Sequence, residues 1–443
     1  MCRTVDLSFS ASFPLRLMAL CMVIGSLTGC VAMQRAPDAP LPYNLEQSSV
    51  PAREIEKNRF RVARGDEVIG RLGVIKLEKG DTLPDVARHF SLGVTAISAA
   101  NPGVDIWVPK AGEQVVLPLR FLLPDAPRKG IVVNLATMRL FHYKEDKNAL
   151  VVTTYPVGIG TKERPTPMGQ MFVQRKVSRP TWYVPASIAE DHRKKGDPLP
   201  AKVPPGPLNP LGECALYLNK PSYLIHGTNK PASIGLNASN GCLRLYPENV
   251  KMLYDDTPLK TPVVIVNQPY LVGQDNGVLY LEAHKPQEGT GALELEKIYA
   301  KLKAMEKKGV RSLDWKKISE VQAEARGIPV PIEMGQGDGK EAEKPVAVEH
   351  PAKLYGKPEV PELRPDAWYV LAAKTKDETE ALRLAAIINH QGPPIPALVL
   401  SKSEGHRVLV GPFDSSIAAK EAARRLKIDL EIDGIVIEPD KKI

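Results

Sequence analysis

Two short stretches of this chain hold residue types capable of covalent chemistry. Leu224-Ile225-His226-Gly227-Thr228-Asn229 ends an apolar, strand-like run on a histidine. Sixteen residues on (242 − 226) comes Ser239-Asn240-Gly241-Cys242-Leu243-Arg244-Leu245. One cysteine in a glycine-flanked turn, with a histidine elsewhere, is a candidate nucleophile and base. A free thiol has a pKa of about 8.5, so only a few per cent is thiolate near neutral pH. A neighbouring imidazole lifts that limit by taking the proton. Gly241 lets the backbone come close, so adjacent amides can face a developing oxyanion. Arg244 supplies a fixed charge for a substrate carboxylate. Residue chemistry alone leaves a second reading open, a structural cysteine and a histidine that merely ends a strand.

The elements that must hold these residues are short. Ile131–Leu135, Leu140–Tyr143, Val151–Val157, Gln170–Arg175, Ala215–Leu218 and Val263–Val266 are apolar or alternating runs separated by prolines and glycines. They predict a mainly β domain from Ile131 to Val266, within the 129–267 that a family resemblance covers. Its phrases resemble the L,D-transpeptidase (YkuD) family: His-Gly-Thr, a gap, then Ser-x-Gly-Cys-hydrophobic-Arg. Tyr155-Pro156-Val157-Gly158-Ile159-Gly160, Pro165-Thr166-Pro167-Met168-Gly169, Pro180-Thr181-Trp182 and Pro210-Leu211-Gly212 also have family counterparts. The resemblance implies a YkuD-like β-sandwich. It implies Cys242 as acyl-accepting nucleophile, His226 as base, and the Gly227 carbonyl as the group that orients the imidazole. Ser239, Asn240, Gly241 and Arg244 are then the expected substrate-binding residues. Asn240 departs from the family, in which many members carry histidine just before Gly-Cys. The implied reaction forms crosslinks between diamino acids of peptidoglycan stem peptides, or attaches a lipoprotein to the wall, through a cysteine acyl-enzyme. No metal or organic cofactor is expected. The alternatives are a non-catalytic wall-binding scaffold, and a hydrolase of the same fold that trims stems or releases anchored lipoprotein.

The rest of the 443 residues reads as modules on linkers. Length alone predicts two to four domains. Hydrophobics at 43% and charged residues at 25% exclude global disorder. The 41 prolines, roughly twice the usual share, point to Pro-rich linkers. Net charge is +8, yet no cluster of Lys/Arg with interleaved aromatics marks a nucleic-acid surface. Cys2, Cys21, Cys30, Cys214 and Cys242 show no metal or disulfide spacing, and Cys214 is expected to pack. His142, His192, His284, His350, His390 and His406 likewise show no ligand spacing and read as surface or structural.

At the N-terminus, Arg3 and Arg16 precede the apolar run Leu17–Leu27. Eleven residues are too few to span a bilayer, which takes roughly 20, and they suit a secretory signal. Leu27-Thr28-Gly29-Cys30 resembles the bacterial lipoprotein lipobox. That implies a signal peptide over 1–29, lipidation of Cys30 and, with Val31 next, an outer-membrane lipoprotein facing the periplasm. A tether is expected over 30–73. Residues 74–118 read as strand, two helices and strand. Gly80-Asp81-Thr82-Leu83, Ala100-Asn101-Pro102 and the closing Val-Val-Leu-Pro resemble the LysM domain, which implies glycan binding. Helical spacing over 289–328 predicts a helical appendage, and 333–363 reads as a flexible linker. Residues 366–438 read as a ferredoxin-like βαββαβ unit. There Arg407-Val408-Leu409-Val410-Gly411-Pro412-Phe413 resembles the SPOR domain, which implies binding of peptide-stripped peptidoglycan. The expected partners are peptidoglycan stem peptides and glycan strands, the outer membrane through a lipid anchor, and a wall-linked lipoprotein, with no nucleic acid.

Overall fold

The computed structural model describes residues 54–147, 149–287, 291–307, 312–335 and 344–439. The signal-like segment and Cys30 lie outside the described residues. β1 (Arg59–Val62) and β2 (Val68–Gly70) come first. β3 (Gly73–Lys76), α1 (Leu83–His89), α2 (Val94–Ala100) and β4 (Gln114–Leu117) then give the strand-helix-helix-strand order read from the sequence. Thr82 caps α1, its hydroxyl accepting from the Asp85 N–H, with proline in the first turn. Asn101 ends α2 and locks it to β4. Its amide donates to the carbonyls of Ile97 and Val116 and its oxygen accepts from the Val116 N–H. β3 and β4 pair antiparallel, Gly73 opposite Leu117. β5 (Arg120–Leu122) pairs with β2.

The central domain runs through β6 (Gly130–Asn134), β7 (Arg139–Asp146), β8 (Ala149–Pro156), β9 (Ile159–Gly160), β10 (Gly169–Ser178), β11 (Trp182–Tyr183), α3 (Ala186–Lys194), β12 (Lys202–Val203), β13 (Cys214–Leu218), β14 (Leu224–His226), β15 (Asn237–Ser239), β16 (Leu243–Arg244), α4 (Pro247–Asp256) and β17 (Pro262–Val266). Nine strands form one continuous sheet in the order β1-β8-β7-β6-β17-β10-β13-β14-β16. The sandwich expected from the sequence is therefore one sheet folded on itself, and β10 is the fold line. Gly169–Phe172 pair with β17, whereas Val173–Ser178 pair with β13 across a register shift. Such a bulge bends and twists a strand. Side chains of both halves then meet in one core: Ile131, Leu140 and Tyr155 from one, Val173, Leu216, Ile225 and Leu243 from the other, closed by Val250 and Leu253 of α4.

Three expectations need correction. The tether to residue 73 ends earlier, because β1 pairs antiparallel with β8 as an edge of the central sheet. Phe60 and Val62 are buried, which an extended tether cannot offer them. The appendage over 289–328 is not helical alone. The hairpin of β18 (Tyr270–Asp275) and β19 (Val278–Ala283) and the short β20 (Val330–Pro331) give α5 (Gly291–Lys307) and α6 (Trp315–Glu324) a sheet to pack on. Leu279, Leu281, Ile298, Leu302, Ile318 and Ile332 form that core. The linker to residue 363 is docked where it is described. β21 (Val346–Val348) pairs parallel with β3, and Val348 and Leu354 join the core of the first module.

The last module matches its expected order: β22 (Trp368–Thr375), α7 (Glu378–Asn389), β23 (Ala397–Lys402), β24 (Gly405–Phe413), α8 (Ser416–Leu430) and β25 (Ile435–Ile437). The sheet runs β23-β24-β22-β25. Asp377 and Ser415 cap the two helices. Polar contacts join the modules. Arg88 makes a two-pronged pair with Glu248, at 3.0 and 2.9 Å. His390 meets Asp85 at 3.0 Å, Arg383 meets Asp105 at 2.6 Å and Arg424 meets Asp197 at 2.8 Å.

Candidate active site

The site lies on the half-sheet β10-β13-β14-β16. β14 and β16 run parallel, with Ile225 opposite Leu243 and His226 opposite Arg244. Ile225 and Leu243 point into the core. Strand alternation therefore sends Leu224, His226, Cys242 and Arg244 to the opposite, outer face. Cys242 sits opposite Leu224, one diagonal step from His226. Strand spacing and rise put their Cα atoms about 8 Å apart, a gap that a thiol and an imidazole reaching toward each other can close.

The turn before Cys242 is tightly built. Gly241 has φ +101°, and a Cβ there would meet the Tyr223 ring at 2.9 Å. Only glycine takes this conformation without strain. The Ser239 hydroxyl accepts from the Gly241 N–H at 3.1 Å and donates to the Cys242 carbonyl at 2.6 Å. β15 pairs with β9, which places Gly160 against the turn. A Cβ on Gly160 would lie 2.9 Å from the Gly241 Cα. Thr166 holds that approach, its hydroxyl accepting from the Gly160 N–H at 2.9 Å.

His226 is 4% exposed. Its Nδ1–H donates to the Gly227 carbonyl at 2.6 Å. A carbonyl can only accept, so the proton sits on Nδ1 and Nε2 is left as the basic nitrogen. Burial first, and the Arg244 charge second, push the imidazole pKa down to about 3, against the carbonyls of Gly227 and Leu211, which raise it. Burial raises the Cys242 thiol, opposed by the Leu224 backbone N–H and by Arg244. The resting pair is thus neutral near pH 7. The thiol donates to the Ser222 carbonyl at 3.4 Å. Arg244 is half-buried, its Nε without a hydrogen-bond partner, and its backbone pairs with Gly158.

The structure brings together every site residue expected in the central domain: Cys242, His226, Gly227, Ser239, Asn240, Gly241 and Arg244. Asn240 is exposed and turned to Arg164, which donates to its Oδ1 at 2.7 Å and pairs with Asp191 of α3 at 2.6 Å. Sequence reasoning missed Arg164. Its only local signal is its place directly before Pro165-Thr166-Pro167. Cys214 is a free thiol, 2% exposed, on the core face of β13. It lies on the opposite side of the sheet from Cys242, so the two cannot pair. Among the described residues no cluster of His, Cys, Asp and Glu is arranged to hold a metal.

Comparison with known proteins gives the family of the central domain and of the last module. Residues 128–265 match the L,D-transpeptidase catalytic domain and residues 365–438 the SPOR domain. The chain is 39% identical over 226 residues to the probable L,D-transpeptidase ErfK/SrfK of Escherichia coli strain K12, covering 50% of this chain and 72% of that protein. It is 39% identical over 232 residues to the probable L,D-transpeptidase YbiS of the same strain, covering 52% and 75%. Among solved structures, an L,D-transpeptidase from Mycobacterium smegmatis aligns over 31% of this chain and 58% of that one, at 20% identity and a TM-score of 0.24. A catalytic-domain match laid over the Cys242 and His226 strands, with relatives matched across more than two thirds of their length, places this chain in the L,D-transpeptidase family.

Proposed function

We propose that this protein is a peptidoglycan L,D-transpeptidase in which Cys242 is the nucleophile and His226 its base. The observation that carries this reading is the fixed tautomer of His226 beside a thiol on the same sheet face. Cys242 Sγ attacks the carbonyl of a diamino acid in a tetrapeptide stem as Nε2 takes the thiol proton. The tetrahedral oxyanion forms beside the turn that Gly241 shapes. Collapse breaks the amide, and His226 returns the proton to the departing D-alanine amine. An amine of a second stem, or of a wall-linked lipoprotein, then attacks the thioester and releases the thiol. Arg244 holds a substrate carboxylate, and the unpartnered Nε supports that role. Asn240, Ser239 and Gly241 shape the acceptor side.

The flanking modules keep the enzyme on its polymer. Residues 74–118 act as a LysM-like glycan binder, a reading supported by their strand-helix-helix-strand order. Residues 366–438, the SPOR module, bind glycan stripped of peptide. Two weak sites on one chain gain avidity when both engage. Lipidated Cys30 anchors the chain to the outer membrane, facing the periplasm. The domain plan is a signal peptide at 1–29, the LysM-like unit, the catalytic domain at 129–267, the appendage around 289–328 and the SPOR module.

The test is mass spectrometry of sacculi incubated with the periplasmic chain. New dimers linked between two diamino acids are expected. Shortened monomers alone would make it a hydrolase, and unchanged sacculi a scaffold. Fractionation of Cys30→Ser checks the anchor. An unchanged outer-membrane position would overturn it.

A further inference from the structure

The outer face that carries Cys242 continues beyond the catalytic pair. β14 pairs with β13 so that Leu224 lies opposite Tyr217 and His226 opposite Ala215. β13 pairs with β10 so that Tyr217 lies opposite Arg175 and Ala215 opposite Val177. Directly opposed residues share a face. One row across four strands therefore reads Cys242, Leu224, Tyr217, Arg175. The register shift between Val173 and Arg175 makes this possible. Val173 points into the core, and in a regular strand Arg175 would point there too. The extra residue at the bulge turns the arginine to the catalytic face.

Arg175 is exposed, and its guanidinium lies 3.8 Å from the centre of the half-buried Tyr217 ring. Stacking fixes a long side chain while its N–H edges stay available. Arg164 and Arg193, by contrast, are paired with Asp191 and Glu190. Among the described residues no carboxylate is paired with Arg175. Strands about 4.8 Å apart put Arg175 about 14 Å from Cys242 along the row. Its guanidinium, stacked over Tyr217 one strand nearer, is about 10 Å away, roughly three residues of extended peptide at about 3.3 Å each: the diamino acid and the two residues before it.

We propose that Arg175 and Tyr217 form a carboxylate-binding subsite for the substrate peptide, set along the catalytic sheet face from Cys242. The subsite rests on the reaction assigned above, because its ligand is the acidic stem peptide. Arg244 takes a charge beside the reacting amide. Arg175 takes one within the two residues that precede the diamino acid, so the two arginines measure the length and direction of the bound stem. Neither resembles a general attraction to a polyanion, since Arg175 is held on a ring and not on a mobile stem.

Binding to the Cys242→Ala chain tests this without turnover. Calorimetry would compare a tetrapeptide stem bearing free carboxylates with the same peptide carrying carboxamides at the positions remote from the scissile amide. Adding Arg175→Ala is expected to raise Kd about fivefold for the acid peptide and to leave the amide peptide unchanged. Tyr217→Ala should follow Arg175→Ala, and Tyr217→Phe, which keeps the ring, should retain most of the affinity. Equal losses on both peptides, or no loss on either, would overturn the subsite. Absence of turnover by the chain with Cys242 intact would instead overturn the assigned reaction, and the binding comparison would still read out.

Discussion

Cys242 and Cys214 stand on the same half-sheet, and the sheet separates them. Cys214 points inward among Leu216, Leu218 and Ile225, where burial raises its thiol against the opposing Lys251 charge. Cys242 points outward, where burial also raises the thiol but the Leu224 N–H and Arg244 favour the thiolate. Burial thus raises both thiols, and what sets Cys242 apart is the basic nitrogen of His226 on its own face of the sheet. Reactivity needs a base that takes the proton as well as a charge that favours the thiolate. His226 shows the matching half: a histidine kept neutral by burial can still serve as a base, because its Nδ1–H is already committed to Gly227.

The sharpest way to break this contrast is to remove each thiol. Cys242→Ala is expected to lower turnover by at least about 10³-fold, whereas Cys214→Ala should leave it within a few-fold. Intact-protein mass after carbapenem treatment reads this directly, with an adduct at Cys242. An adduct confined to Cys214 would reverse the assignment. Removing the base comes next: His226→Ala should cost about 10²- to 10⁴-fold, measured as single-turnover acylation.

The pH profile is a finer probe. The imidazole stays neutral down to about pH 3, and the thiol stays protonated past its ordinary pKa. The pair therefore holds one proton count from about pH 5 to 8, and acylation should be flat there. A fall centred near pH 6.5 would mean that His226 titrates like a free histidine. Smaller still, Gly241→Ala should slow acylation about tenfold or more, because a methyl group at φ +101° must displace Tyr223. Smallest of all is a change in stability alone. Cys214→Ala should lower unfolding free energy by about 1 kcal/mol through a small cavity, read as a midpoint shift in denaturant with turnover kept.

What could be read from the sequence follows how locally each feature is encoded. The last module's element order was legible because its helices and strands alternate with clear periods and caps such as Asp377 and Ser415. The chemistry of His226 and Cys242 was legible because its parts occupy two continuous phrases. Pairing at a distance was not. Nothing in Arg59–Val62 names β8 as its partner, and Pro- and Lys-rich composition around Val346–Val348 hides a strand that completes β3. Arg164 and Arg175 escaped for the same reason. The first matters through Asn240 and Asp191, which lie 76 and 27 residues away. The second depends on a bulge that flips its face, and the sequence pattern gives no sign of where a strand slips by one residue.

The parallel pairing of β17 with β6 sets the order in which the central domain can be built. Val263 meets Ile131 across 132 residues (263 − 131). Closing a loop of that length costs about 4 kcal/mol of chain entropy. The β6-β7-β8 meander is local and can form while the chain is still emerging. β17 then enters as a bridge, joining β6 on one side and the first half of β10 on the other. Until Pro262–Val266 arrive, two apolar edges wait unpaired, and unpaired edges are templates for aggregation. A chain stopped short of Pro262 would therefore keep both catalytic phrases in its sequence and still lack the strand that joins its two halves into one sheet.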